Sequence, residues 1–424
     1  MIVINNTPFS KEEIDAEADR LFRSECLRAI EGKIVAICSQ QPNVIIGVVF
    51  KLMAGHGSLL LLPADTPLQT ALNQAEAAGC AVLIHGDNSE LFSIEGHERA
   101  VPGSLLQFSS GTTGAPKLIR RSWSEVRTEI KNYNLALASA NEGTTTETPI
   151  IFIPLSHSFG LIAGALTAIE RGVQPVIVTE KNPKYWVSKI RSIPESLVYC
   201  VPYMIKLMRS MSRGSLRFHK VITSGSMLPD DLFRELAASS TCCMQQYGST
   251  ETGAISIALH CDGPTNVGKP LRHITLEAAN HSAEPGEIVV RLEGKDEGVH
   301  TRDLGYLNEN GDLQLLGRMD DLINVSGLKV IPVEVESVIL AHPKVREVVV
   351  FRGRHPVWGE AVRAMVIADT DTDMDGAVSA EEIKTWCMGQ LPSYKVPGMV
   401  EFVQEIPRNA GGKINRKMLQ EMES

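Results

Sequence analysis

Residues 105–117 run Leu105-Leu106-Gln107-Phe108-Ser109-Ser110-Gly111-Thr112-Thr113-Gly114-Ala115-Pro116-Lys117. An apolar strand enters a Ser/Thr/Gly run holding two glycines, and the run leaves on a lysine. Glycines let backbone N–H groups approach an anion closely, and hydroxyls add donors. Lys117 supplies a point charge suited to phosphate oxygens. The pattern is not a Walker loop, because Pro116 precedes the lysine and Leu118 follows it. The alternative is a plain Ser/Thr/Gly surface turn. The complete string S-S-G-T-T-G-x-P-K is much more specific than that.

Outward from this loop, short apolar runs at Ile34 to Ile37, Ser58 to Leu62, Ala81 to Ile84, Ile150 to Ile153, Pro175 to Val178, Leu197 to Val201 and Lys220 to Thr223 predict buried strands. Helical periodicity fills segments between them, such as Asp65 to Ala78 and Asp230 to Ser239. The alternation predicts an α/β fold with largely parallel sheets. After about residue 265 shorter, polar-flanked strands follow, predicting a small β-rich module attached to the α/β body. From Asp321 onward helix and strand alternate again, enough for an α+β domain of roughly 100 residues. The expected architecture is α/β: a large N-terminal domain of stacked αβ sheets with the β-rich module, then a small mobile α+β C-terminal domain. The expected division is 1–319 and 320–424, with the large domain compact and short at its N-terminus.

Composition bounds the function. The chain has 424 residues, 43% hydrophobic and 21% charged, which excludes a disordered or collagen-like chain. A net charge of -9 argues against general capture of nucleic acid. The eight cysteines form no C-x-x-C pair and read as reduced core residues, predicting a cytoplasmic protein. The most apolar stretch, Val44 to Leu62, is broken by Lys51, His56 and three glycines. A bilayer span needs about 20 mostly apolar residues, so a buried helix followed by a strand is expected instead.

The 105–117 loop resembles the signature of adenylate-forming enzymes: acyl- and aryl-CoA synthetases, adenylation domains of peptide synthetases, and luciferases. Four further segments resemble that family's motifs, in order. They are Gln245 to Gly253 (Y-G-x-T-E), His300 to Tyr306 (T-G-D-L-G, with Arg302 in place of glycine), Gly317 to Gly327 (the hinge) and Pro407 to Arg416 (the catalytic-lysine loop). The resemblance covers about residues 105 to 416; before Ser109 the chain is shorter than its relatives.

The resemblance implies ATP-dependent activation of a carboxylic acid to acyl-AMP and pyrophosphate, then transfer to a thiol. It implies that Ser109, Ser110, Gly111, Thr112, Thr113, Gly114 and Lys117 hold the β- and γ-phosphates. Glu251 would bind Mg²⁺, with Thr250 on the α-phosphate and Gly248 among the nucleotide-binding residues, and Lys413 would neutralise charge in the adenylation step. Asp303 would accept from the ribose hydroxyls and Arg318 would contact ribose or phosphates. Ser224, Gly225 and Ser226 would back the adenine, with Tyr247 stacking on it. Asp320 would be the hinge, and Ser326 and Gly327 would lie on the thiol side.

The segment Pro154 to Leu161 would line the acyl pocket, with His157, Ser158, Gly225 and Ser249. It lacks the aspartate that pairs with an amino acid's ammonium group, so an aryl or acyl acid without an α-amine is expected. Lys117 to Ser122 resembles the K-L-I-x-R-[TS] run of aryl-acid activating members. CoA is the leading acceptor. The alternative is a separate carrier protein, with Arg120, Arg121 and Lys329 available to CoA phosphates or to an acidic carrier helix. A catalytically silent nucleotide-binding homologue is the alternative of another class. Asp371 to Glu382 also fits a calcium-loop pattern, but the strand expected at Ala361 to Ile367 stands where an entering helix is needed, so a solvated loop is preferred.

Overall fold

The computed structural model describes residues 1–28, 31–95, 103–109, 117–139, 147–355, 359–369, 378–408, 414 and 416–421. Three sheets organise the chain. In the first half the strands Ile34–Cys38, Ser58–Leu61 and Val82–His85 are mostly apolar and, His85 aside, buried, as parallel strands covered on both faces must be. With Ser104–Ser109 they pair in parallel, and the hairpin partner Lys117–Ser122 closes one edge of a six-stranded sheet.

The second sheet has 13 strands. At its centre Val176–Ile177, Thr148–Ile151, Ser196–Cys200, Phe218–Thr223 and Ser240–Ser249 lie parallel in that spatial order. Several crossover helices begin with proline, whose fixed φ suits the first helical position: Pro183–Ser192 and Pro202–Met211 are two. The β-rich strands expected after residue 265 attach to the α/β body through the edge of this sheet. Gly253–Ala258 folds back antiparallel on Ser240–Ser249, and Asn266–Pro270, Leu313–Arg318, Val299–Leu307 and Gly286–Leu292 extend the same sheet outward. Antiparallel strands need only short connections, so the change of sequence texture marks a change of strand direction within one sheet.

A third, five-stranded sheet belongs to the small C-terminal domain. The long hairpin Val345–His355 and Gly359–Ala368 pairs with Ile323–Val325 and Met399–Phe402, and carries the helices Pro332–Leu340 and Ala380–Met388. All eight cysteines are free and six are buried. Burial pushes the Cys80 thiol up to about 12, consistent with an unreactive core residue. Among the described residues no helix is long and apolar enough to cross a membrane.

Candidate active site

In an open parallel sheet, ligands bind beyond the carboxyl ends of the strands. Three expected site segments follow such ends here, and with them Val201 to Tyr203, which the sequence did not single out. Residues 152–158 follow Thr148–Ile151, Val201 to Tyr203 follow Ser196–Cys200, Ser224 to Ser226 follow Phe218–Thr223, and Thr250-Glu251 follow Ser240–Ser249. Parallel register therefore gathers segments up to 100 residues apart in sequence along one edge.

The hairpin Ser104–Ser109/Lys117–Ser122 belongs to the other sheet but is tied to this edge. Gln107 donates to the Ser156 carbonyl at 2.8 Å and accepts from the Ser158 hydroxyl at 2.6 Å. Ser109 pairs with Lys117 at the hairpin's end, and Lys117 is exposed. Ser110, Gly111, Thr112, Thr113 and Gly114 lie outside the described residues, as does Lys413. Arg408, on the near flank of the Lys413 segment, stands over the Tyr203 ring at 5.8 Å. Tyr203 begins at the carboxyl end of Ser196–Cys200, so that flank meets the same edge.

The centre of the described site is a polar cluster. Tyr247 is buried, and its hydroxyl donates to Asp303 Oδ2 at 2.6 Å. Arg318 Nη1 lies 3.6 Å from the other Asp303 oxygen. Burial, then the Asp303 charge, push the Tyr247 phenol well above its usual range, so it stays a donor. Arg318 Nε is buried and has no hydrogen-bond partner among the described residues. An orphaned guanidinium nitrogen beside a carboxylate suits a ligand carrying hydroxyls and phosphates.

Glu251 is half-buried at the tip of the turn between Ser240–Ser249 and Gly253–Ala258. Among the described residues no group of three His, Cys, Asp or Glu gathers as a metal cage. One carboxylate is the donor set expected where Mg²⁺ takes its other ligands from phosphate and water, so Glu251 fits that ion. Ser224 is buried, Gly225 and Ser226 are exposed, and Gly225 has φ 86°, a left-handed value that glycine adopts freely. His157 is exposed and Ser158 half-buried. Ser249 accepts from the Thr252 amide at 3.3 Å, tightening the Glu251 turn. Ser326 and Gly327, both at positive φ, form the tip of a hairpin on the third sheet.

One residue corrects the sequence reading. Arg121 does not face CoA or a carrier: it is buried in an ion pair with Glu129, and their side chains are 5% and 2% exposed. The other Glu129 oxygen accepts from the Ala254 amide at 2.8 Å. Gly253, at φ 73°, has no room for a Cβ, which would collide with this pair. Arg121 and Glu129 thus brace the Thr250-Glu251 turn from behind. The available signal was alternation: adjacent residues on a strand face opposite sides, so Arg120 and Arg121 could not both be outward. Arg120 and Lys329 are exposed as expected.

The calcium-loop residues Asp371 to Gly376 lie outside the described residues. Its last position, Glu382, faces His342 Nε2 at 3.4 Å and Lys344 Nζ at 3.7 Å, and the chain enters the region from a strand.

Comparison with known proteins accounts for this arrangement. The family model described as AMP-binding enzyme matches residues 64–295, and that described as AMP-binding enzyme C-terminal domain matches 334–413. The chain is 44% identical over 421 residues to the 3,4-dihydroxybenzoate–[aryl-carrier protein] ligase of Bacillus anthracis, covering 99% of this chain and 98% of that one. It is 29% identical to the 2-succinylbenzoate–CoA ligase of Bacillus velezensis, over 75% of this chain and 69% of that one. Its fold matches the o-succinylbenzoate CoA synthetase of Bacillus subtilis, solved with its acyl-adenylate, at a TM-score of 0.79 and 23% identity, covering 99% of this chain and 94% of that one. The chain belongs to the AMP-binding, adenylate-forming family and is an AMP-forming acid–thiol ligase.

Proposed function

We propose that the acid is an aryl carboxylic acid of the dihydroxybenzoate kind and that the acceptor is the pantetheine thiol of an aryl-carrier protein. The observation carrying this reading is the 44% identity to the Bacillus anthracis ligase along nearly the whole of both chains. The pocket segment agrees in character: His157 and Ser158 offer hydrogen bonds, and residues 152–158 hold no carboxylate for an α-ammonium.

In the first half-reaction a substrate carboxylate oxygen attacks the α-phosphorus, and the bond to pyrophosphate breaks. Two anions must meet, so the chain's task is orientation and opposing charge. Residues 109–114 and Lys117 hold the terminal phosphates, Thr250 and Gly248 the α-phosphate, and Lys413 faces the charge that builds between nucleophile and leaving group. Glu251 would hold Mg²⁺, which would supply Lewis-acid neutralisation of phosphate charge. Asp303, oriented by Tyr247, takes the ribose hydroxyls and Arg318 the ribose or phosphate beside it. Ser224, Gly225, Ser226 and Tyr247 enclose the adenine, and Gly225 and Ser249 complete the acid pocket. In the second half-reaction the thiolate attacks the acyl carbon and AMP leaves. Asp320 is the pivot by which residues 320–424 turn against 1–319, bringing Ser326 and Gly327 to the thiol.

The test is ATP–pyrophosphate exchange with a panel of hydroxybenzoates, fatty acids and amino acids, followed by transfer to a pantetheine-loaded aryl-carrier protein or to CoA. Exchange led by dihydroxybenzoates and transfer to the carrier are expected. Exchange confined to amino acids would overturn the acid assignment. Transfer to CoA alone would favour the second reading, which the 29% identity to a CoA ligase supports.

A further inference from the structure

Arg302 stands where the family signature has glycine, and it keeps the glycine's backbone. Its φ is 59°, in the left-handed region that side chains disfavour. Its amide is held by Glu287 Oε1 at 3.0 Å. From that position its guanidinium Nη2 donates to Asp320 Oδ1 at 2.6 Å. Asp320 lies in the single 3₁₀ turn Met319–Asp321, between Leu313–Arg318 of the large sheet and Ile323–Val325 of the small domain's sheet.

The bonds around this turn divide at Asp320. Its carbonyl accepts from Arg352 Nη2 at 2.9 Å, and Arg352 also holds Glu360, both on the small domain. Asp321 accepts from Arg416 at 3.2 Å, and Arg416 is fixed to Glu336 at 2.6 Å and the Val350 carbonyl at 3.0 Å. From the Asp320 carbonyl onward the chain is bolted to the small domain. The Asp320 carboxylate is instead held by Arg302 of the large domain. Rotation about the Asp320 N–Cα bond carries the carboxylate away with the small domain and breaks that contact.

We propose that Arg302 is a positioning residue acting through Asp320: its ion pair holds the junction in the orientation described here and is released when the small domain turns for thiol transfer. The pair's side chains are 58% and 36% exposed, so water replaces the contact at little cost and the latch is reversible. Its strand leads directly into Asp303, so the latch begins one residue from the nucleotide cluster. The proposal rests on the two-half-reaction reading above.

The test compares the wild type with Arg302→Gly, which suits the left-handed backbone, and Arg302→Lys, which keeps charge. Hydrogen exchange of amides 319–325 reports the junction without any substrate. Pyrophosphate exchange and single-turnover transfer to CoA and to a pantetheine-loaded aryl-carrier protein report the two steps. For Arg302→Gly, junction amides should exchange about threefold faster and the ratio of transfer to adenylation rates should change about threefold, with Arg302→Lys between. Unchanged junction exchange, or an unchanged rate ratio, overturns the latch. A wild type that activates no acid overturns the ligase reading instead, and the junction amides still decide the latch.

Discussion

Two arginine–carboxylate pairs flank the same site and differ chiefly in their access to water. Arg121 and Glu129 sit behind the Glu251 turn with almost no exposure, and Glu129 also takes the Ala254 amide. Arg302 and Asp320 sit at the domain junction, largely in water. A buried pair that loses one partner strands a charge in the protein interior, whereas an exposed pair exchanges its contact for water. The first can only hold a fixed geometry. The second can be made and broken within a catalytic cycle. The cluster of Tyr247, Asp303 and Arg318, proposed above to hold the nucleotide, is intermediate: Asp303 is mostly covered and Arg318 is 40% exposed.

The harshest way to break this comparison is Glu129→Ala. It should cost about 3–5 kcal/mol of unfolding free energy in a denaturant titration, because Arg121 is left buried and unpaired. Arg121→Met combined with Glu129→Leu should cost much less than the single change. If Glu129→Ala costs under about 1 kcal/mol, as an exposed pair does, the brace is not structural and the contrast fails.

The intermediate case is Tyr247→Phe. The ring remains, so any stacking on adenine is kept, and only the hydroxyl that orients Asp303 is lost. A hydrogen bond to a charged group contributes about 1.5–3 kcal/mol, so calorimetry should find ATP bound roughly tenfold or more weakly. Unaltered ATP affinity would mean that Asp303 needs no orienting partner.

How much of this was legible beforehand depends on whether a residue's role is local or tertiary. The buried strands were, because parallel strands covered on both faces are apolar throughout: Ser196–Cys200 and Ile34–Cys38 announce themselves in any window. The helix Asp230–Ser239 was read with its observed ends, since its apolar residues Leu232 and Leu236 recur at helical spacing. The motif residues were legible as a set, but not their mutual contacts: nothing in the sequence says that Tyr247 reaches Asp303 across 56 positions. Arg121 was misplaced because two adjacent arginines look like a basic patch until strand alternation turns one inward. The β-rich array after residue 265 was legible from its short, polar-flanked strands, but its place on the edge of the 13-stranded sheet was not. Short antiparallel strands with polar flanks signal a hairpin array, and which sheet edge the array joins is a long-range choice. Arg302 was legible only as an exception: an arginine at a glycine position, with its reason at Asp320.

The smallest effect sharpens the buried end of the comparison. His273 is buried beside the Arg121–Glu129 pair, and its Nδ1 has no hydrogen-bond partner among the described residues. Burial lowers its pKa below the ordinary 6.5; Glu129 opposes the shift, and Arg121 adds to it. The folded protein therefore holds this imidazole neutral where the unfolded chain would begin to protonate it. Below about pH 6.5 the unfolded state binds more protons at this position, so stability rises with pH there. Above that pH the histidine contributes no such term; as pH falls through 6.5 toward the folded pKa, stability is lost. Thermal melts at pH 7.5 and 5.5 should show a drop in the wild type that is smaller in His273→Gln. An identical drop in both would mean that the imidazole is protonated as readily in the folded state as in the unfolded one. The space behind the Glu251 turn would then be wetter than its burial implies, and Glu129 would belong with the exposed pairs.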